Sequence, residues 1–494
     1  MRTLPLLLIS ACLWGGPPAI DDLLNLKRAD GALISPDGRL VAYGVTETDW
    51  EQDAFVRQLW LAEIETGRTR QLTRGRKSAG GAAWSPDGRW IAFTSDREGG
   101  KNQIFLIAPD GGEALQLTRS ETGVGSFEWS RDGRTIAYLA ADKTAEDRKK
   151  HFGDFEVVRR DTAHTHLWLV NVQEALKAPA AGRQLTKGRE FSVGAFDWSP
   201  DGKRIAFSAA INPDLVQSGT SDIYVLTLEN GVVNRIVSQP GPDTNPRWSP
   251  DGKWIVFRSA MANPKYYHAN ARLAVVAAEG GAVRSITDSF DEQPSLVAWT
   301  PEGIYFVGLQ KTEAHVFLAD PVRASVRKVS ASPAGFDFTV TPDGRRAAFS
   351  MGNAESMSEV YAVGLPDWSP RKLTDMTAQV REWTLPSSEV ISWKSKDGTV
   401  IEGVLTKPAT FDPSKKYPLL CVIHGGPTGI DMPQKVHAGS YPIDIWTARG
   451  ALVLRVNYRG SAGYGEKFRQ LNVRNLGVGD AWDVESGVDH LIAK

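Results

Sequence analysis

Short apolar runs recur along the first three quarters of the chain, and each follows a polar corner. Trp90-Ile91-Ala92-Phe93-Thr94-Ser95, Arg204-Ile205-Ala206-Phe207-Ser208 and Trp254-Ile255-Val256-Phe257-Arg258 are rich in β-branched and aromatic residues and are too short for helices. The corner before each reads Ser-Pro-Asp-Gly or a close variant. It occurs seven times, starting at Ser35, Ser85, Ser130, Ser199, Ser249, Thr300 and Thr341. Ser, Pro, Asp and Gly each take their preferred place in a type I turn, so every copy predicts a hairpin corner in which Asp and Gly serve the turn. A further run such as Gln103–Ile107 or Asp222–Leu226 predicts another strand, and Gln116-Leu117-Thr118 or Lys372-Leu373-Thr374 closes the unit. Four strands repeating every ~40 to 50 residues predict propeller blades. The expectation is an all-β seven-bladed propeller over residues 20–385, with a short N-terminal helical extension. Tryptophan precedes five of the corners, as Trp84, Trp129, Trp198, Trp248 and Trp299.

From Ser387 the pattern changes. Val390–Lys394 and Val400–Val404 read as a hairpin turned at Asp397-Gly398. Leu419–Ile423 is a continuous apolar run, Tyr441–Ala448 a helix, and Ala451–Val456 a second apolar run. Strand, helix and strand with buried strands predict a parallel α/β sheet. The final segment, Asp480–Ala493, has Ala481, Val484, Val488, Leu491 and Ile492 at helical spacing. Residues 386–494 are therefore expected to be an α/β domain, which its motifs make the N-terminal part of an α/β-hydrolase domain.

Composition narrows the partners. The 494 residues carry 57 basic and 58 acidic side chains, a formal net charge of −1, which gives no field to recruit nucleic acid or an anionic membrane. Cys12 and Cys421 are the only cysteines, too few for a disulfide framework or a cysteine zinc site, and no metal or cofactor is expected. Arg2, the apolar run Leu4–Trp14 and Gly15-Gly16-Pro17-Pro18-Ala19 read as a signal peptide over residues 1–19, implying a secreted or periplasmic protein. The run is too short for a stable membrane span, which needs roughly 20 apolar residues. Ile9-Ser10-Ala11-Cys12 also matches a lipobox, which would make Cys12 a lipidation site. Between the third and fourth corners lies a charged insertion, Ala141–Thr165, expected to be a solvated loop or an arm over the neighbouring domain.

His424-Gly425-Gly426-Pro427 follows the first apolar run of the second domain directly. There an α/β-hydrolase places the Gly-rich loop that gives one backbone N–H to its oxyanion hole, and glycine lets the substrate carbonyl approach. About 30 residues on stands Asn457-Tyr458-Arg459-Gly460-Ser461-Ala462-Gly463-Tyr464-Gly465, and Gly479-Asp480 opens a helix containing Asp483. With the Trp-Ser-Pro-Asp-Gly repeats, these segments resemble the prolyl oligopeptidase family of serine peptidases over residues 20–494. The resemblance implies a propeller capping a hydrolase domain, short peptides as substrates, and an oxyanion loop of His424, Gly425 and Gly426. Related branches use a tyrosine hydroxyl where His424 stands, and the dipeptidyl-peptidase-IV type uses a Glu-Glu pair that is absent here, so the acylaminoacyl-peptidase-like branch fits better.

No Gly-x-Ser-x-Gly elbow occurs in the 494 residues. Arg459-Gly460-Ser461-Ala462-Gly463 has Arg where the first Gly must be, which disqualifies Ser461 as nucleophile. The expectation is a truncated chain, inactive as it stands, whose catalytic Ser, Asp and His lie beyond Lys494. His164 and His166 are expected to be surface or packing residues, with no third ligand for a metal. Two other readings stay open: a non-enzymatic periplasmic binding propeller, and a carboxylic-ester hydrolase.

Overall fold

The computed structural model describes residues 15–143, 163–365, 367–437 and 439–494. The expected leader with its lipobox cysteine Cys12, apart from residues 15–19, and the body of the charged insertion lie outside the described residues. From Arg28 to Lys372 the described residues form seven consecutive four-stranded antiparallel sheets, each with its strands side by side in chain order. This is the architecture of a β-propeller.

The corners explain why the repeat folds as it does. In six of them the Ser or Thr hydroxyl donates to the Asp carboxylate two residues on, at 2.6 Å. The same oxygen accepts the backbone N–H five residues on, at 2.9–3.1 Å. The corner carboxylates are thus consumed by the turn. Where Glu302 replaces Asp, the longer side chain leaves Thr300 Oγ1 to bond the Gly303 carbonyl instead, at 3.2 Å.

Repeated hydrogen bonds also join strand to strand and sheet to sheet. The closing Thr73, Thr118, Thr186, Thr287 and Thr374, with Ser330, each accept a third-strand amide on their hydroxyl, at 2.8–3.0 Å. Four of the five tryptophans donate their indole N–H to the first strand of the preceding sheet: Trp84 to Leu33 O (3.0 Å), Trp129 to Ala83 O (3.3 Å), Trp198 to Glu128 O (3.3 Å) and Trp248 to Asp197 O (3.2 Å). The first sheet also meets the seventh. Ala32 N–H donates to Asp337 Oδ2 at 3.0 Å and Arg346 to Gly38 O at 2.9 Å, and Val41 and Tyr43 share a core with Ala348 and Val360.

The C-terminal sheet runs in the order Ser387–Lys394, Val400–Lys407, Leu452–Asn457, Leu419–Val422, and only the last two strands are parallel. Three expectations are corrected. The strand Leu419–Val422 is half-buried rather than buried, with Leu420 38% exposed, because it is an edge strand among the described residues. The last helix, Gly479–Ile492, buries Gly479, Asp483 and Gly487, while Ala481 and Ile492 face solvent. Its buried stripe is small because the helix lies close to the sheet: a Cβ at Gly487 would come 2.8 Å from the Trp393 ring. The other helix starts at Ile443 rather than Tyr441. Near the other end, the helix Ile20–Leu24 sets Leu23 and Leu26 against Val380, with Val436 and Ile445 packed alongside. No helix among the described residues is long and apolar enough to cross a membrane.

Candidate active site

The strand Leu419–Val422 delivers the chain into the loop His424–Pro427. Gly426 has φ +133°, and a Cβ there would lie 2.8 Å from the Gly429 nitrogen and 2.9 Å from the Thr428 nitrogen, so no other residue fits without moving backbone. Among the described residues the Gly426 amide has no hydrogen-bond partner. The segment after the parallel strand braces this loop. The Tyr458 ring stacks on the His424 imidazole with centroids 4.6 Å apart, and Tyr458 Oη donates to the His424 carbonyl at 2.7 Å.

His424 Nε2 lies 3.0 Å from Ser461 Oγ, a pairing that superficially looks like a nucleophile and its base. The surroundings argue otherwise. Ser461 is fully buried, and its hydroxyl donates to the Tyr458 carbonyl at 2.6 Å. With that proton committed, the imidazole is the donor in the His424–Ser461 contact, the reverse of what activation needs.

Arg459 is a structural post. Its backbone N–H and its Nε donate to Asp483 Oδ2 at 2.8 and 3.0 Å, Nη2 to Asp483 Oδ1 at 2.8 Å, and Nη1 to Asp397 Oδ2 at 2.8 Å. Hydrogen bonding to Asp483 holds the guanidinium more firmly charged than usual, and hydrogen bonding to Arg459 holds the Asp397 carboxyl well below the ordinary carboxylate range. One buried arginine thereby ties the hairpin turn, the Asn457–Gly465 segment and the final helix together.

That segment is also latched to the propeller, which nothing in the sequence pattern announced. Glu292 Oε2 accepts the Gly463 and Gly465 amides at 2.6 and 3.4 Å, Asp291 Oδ1 accepts the Glu466 amide at 3.0 Å, and Lys311 N–H donates to the Gly463 carbonyl at 2.7 Å. Between the two parts lies a cavity of 480 Å³. Gly426, Pro427 and Arg469 line it on one side, and Arg258, Tyr266 and Asn270 on the other. The structure therefore puts Gly426 at a cavity wall shared with the propeller. His164 and His166 sit elsewhere, buried in the propeller, where His166 Nδ1 lies 3.2 Å from Thr186 Oγ1. Arg258, Asn270 and Arg469 had no sequence signal, being single residues far apart in the chain.

Residues 29–167 and 170–389 match the TolB beta propeller domain, and residues 439–494 match the prolyl oligopeptidase family. The chain belongs with the TolB beta propeller domain over most of its length and ends in a segment of the prolyl oligopeptidase family. Among the proteins it resembles, the Uncharacterized peptidase YuxL of Bacillus subtilis is 29% identical over 514 residues, covering 96% of this chain and 76% of that protein. Dipeptidyl-peptidase 5 of Porphyromonas gingivalis is 25% identical over 498 residues, covering 95% and 72%. The prolyl oligopeptidase fold is matched by the Pyrococcus horikoshii acylaminoacyl peptidase at TM-score 0.77 and 20% identity, over 97% of this chain and 72% of that one. A puromycin hydrolase matches at TM-score 0.71 and 18% identity, over 97% and 74%. At these identities the structural likeness is one of fold.

Proposed function

We propose that these residues are the propeller and the leading part of the catalytic domain of a serine peptidase acting on short peptides, of acylaminoacyl-peptidase or oligopeptidase type. In this reading the seven sheets close into one ring over residues 20–385, and residues 386–494 begin the hydrolase domain. His424, Gly425 and Gly426 form the oxyanion loop, with the Gly426 amide as donor. Ser, Asp and His of the triad are supplied by sequence outside the 494 residues, which contain no Gly-x-Ser-x-Gly elbow. In the same reading the protein is secreted or periplasmic, which the apolar run after Arg2 supports. The observation that carries the reading is the partnerless Gly426 amide in a loop that lines the cavity facing the propeller.

The test uses the protein expressed from the continuous reading frame alongside the 494-residue chain. The longer protein is expected to label with a fluorophosphonate on a serine outside these residues and to cleave acylated peptide anilides, while the 494-residue chain labels with nothing. Labelling of Ser461 would overturn the assignment of the nucleophile. Turnover of simple esters without amides would favour an ester hydrolase, and peptide binding with no labelling of either protein a non-enzymatic propeller.

A further inference from the structure

The cavity between propeller and hydrolase segment carries two arginines and no carboxylate of its own. Arg258 has no acidic group within ion-pair distance among the described residues, and its one hydrogen bond runs from Nη2 to Gln293 Oε1 at 2.8 Å. Arg469, 8% exposed, has Glu292 at 3.9 Å, but Glu292 already holds the Gly463 and Gly465 amides, and Arg469 Nε is buried without a partner. Burial, and after it the charge of Arg469, holds the Arg258 guanidinium below its usual pKa, the sign of two cations kept close. Asn270, 6% exposed, and Asn472 leave both side-chain amide atoms buried and unpaired. Buried polar groups rarely go without partners, so three such side chains on one cavity, Arg469, Asn270 and Asn472, beside the Arg258 guanidinium that no carboxylate neutralises, point to a missing ligand that accepts several hydrogen bonds and is negatively charged. Tyr267 and Leu476, 63% and 65% exposed, make the mouth apolar.

We propose that this cavity is a carboxylate-binding subsite: Arg258 and Arg469 grip a peptide carboxylate, and the Asn270 and Asn472 amides complete its hydrogen bonds. The carboxylate comes from an Asp or Glu side chain or from the peptide C-terminus. The inference deepens the peptidase reading and rests on it for the ligand being a peptide.

The experiment is calorimetric titration of the 494-residue chain with three acetylated tripeptides of equal length. The first is Leu-Glu-Ala as its C-terminal amide, the second Leu-Gln-Ala with a free C-terminus, and the third Leu-Gln-Ala as its amide. At least one carboxylate peptide should bind roughly tenfold or more tighter than the neutral one, as for a charge-assisted hydrogen bond, and which one names the source. The preference should fall with added salt, vanish in Arg258→Gln and survive in part in Arg258→Lys. Equal affinity for all three peptides, binding of none, or an undiminished preference in Arg258→Gln overturns the proposal. If Arg258→Gln does not fold, the three-peptide comparison and its salt dependence decide alone. Binding needs no nucleophile, so its failure leaves the fluorophosphonate test of the peptidase reading untouched, and absent turnover leaves the subsite untouched.

Discussion

At Gly426 a side chain would enter the space of two backbone nitrogens, so the loop and the free amide depend on one missing atom. If Gly426 is the proposed oxyanion donor, Gly426→Val in the protein expressed from the continuous reading frame lowers kcat by about 10²-fold or more, the scale for losing one such donor. Circular dichroism would confirm folding, and unchanged turnover would show the loop to be merely structural. Arg459 gives a second residue-scale test. Its side chain is 2% exposed and faces Asp483 at 0% exposed, and removing one partner of a buried pair costs about 3–5 kcal/mol. Arg459→Met should therefore unfold at markedly lower urea. Asp397, the outer partner, sets a pH dependence. Its folded pKa is depressed by Arg459, so its stabilisation is present above the unfolded value of about 3.9 and is lost as pH falls through the lower folded value. Asp397→Asn should be less stable than wild type at neutral pH and converge with it in strong acid. A difference that grows below about pH 3 would contradict the pairing.

At the scale of elements, what is legible in the sequence is what closes locally. A corner such as Ser249–Gly252 satisfies its hydroxyl and carboxylate within five residues, so composition alone identifies it. The tryptophans recur just as visibly, but Trp198 reaches Glu128 O, 70 residues back, and no local pattern names that partner. Trp198→Phe keeps the apolar bulk and takes the donor from one half-buried carbonyl, and should cost about 1 kcal/mol in urea denaturation. The last helix misleads for a related reason. Its apolar spacing points to Ala481 and Ile492, yet Gly479, Asp483 and Gly487 face inward: the Trp393 ring leaves no room for a Cβ at Gly487, Arg459 and Asn475 crowd Gly479, and Arg459 holds Asp483. Replacing an exposed helical Gly by Ala gains about 1 kcal/mol, whereas forcing a methyl against a packed ring costs about 1–3 kcal/mol. Gly487→Ala is therefore expected to destabilise. A rise in the urea midpoint would mean that the ring yields.

At the scale of the whole molecule, the two halves were each readable and their junction was not. The His-Gly-Gly-Pro loop and the Asn457–Gly465 segment carry their resemblance in contiguous residues. Glu292, the residue that holds that segment to the propeller, lies 171 positions from Gly463 in an unremarkable stretch. The cavity is lost to sequence for the same reason, because Arg258 and Arg469 meet only after the propeller has folded and the segment has docked on it. The latch has a measurable consequence. Glu292 is 5% exposed and accepts two backbone amides through one oxygen, and hydrogen bonds to a charged group are worth about 1.5–3 kcal/mol each. Without that carboxylate, the segment can open locally while the seven sheets and the Arg459 post stay intact. Glu292→Ala should raise amide hydrogen exchange within residues 460–470 by roughly 10- to 100-fold and leave the propeller strands at wild-type protection. Because Arg469 lies on the opened segment, carboxylate-peptide affinity should fall in the same variant. If exchange in 460–470 is unchanged, the contact is incidental and the junction is held by Asp291 and Lys311. If the propeller strands lose protection as well, Glu292 serves its own sheet and not the coupling of the two halves.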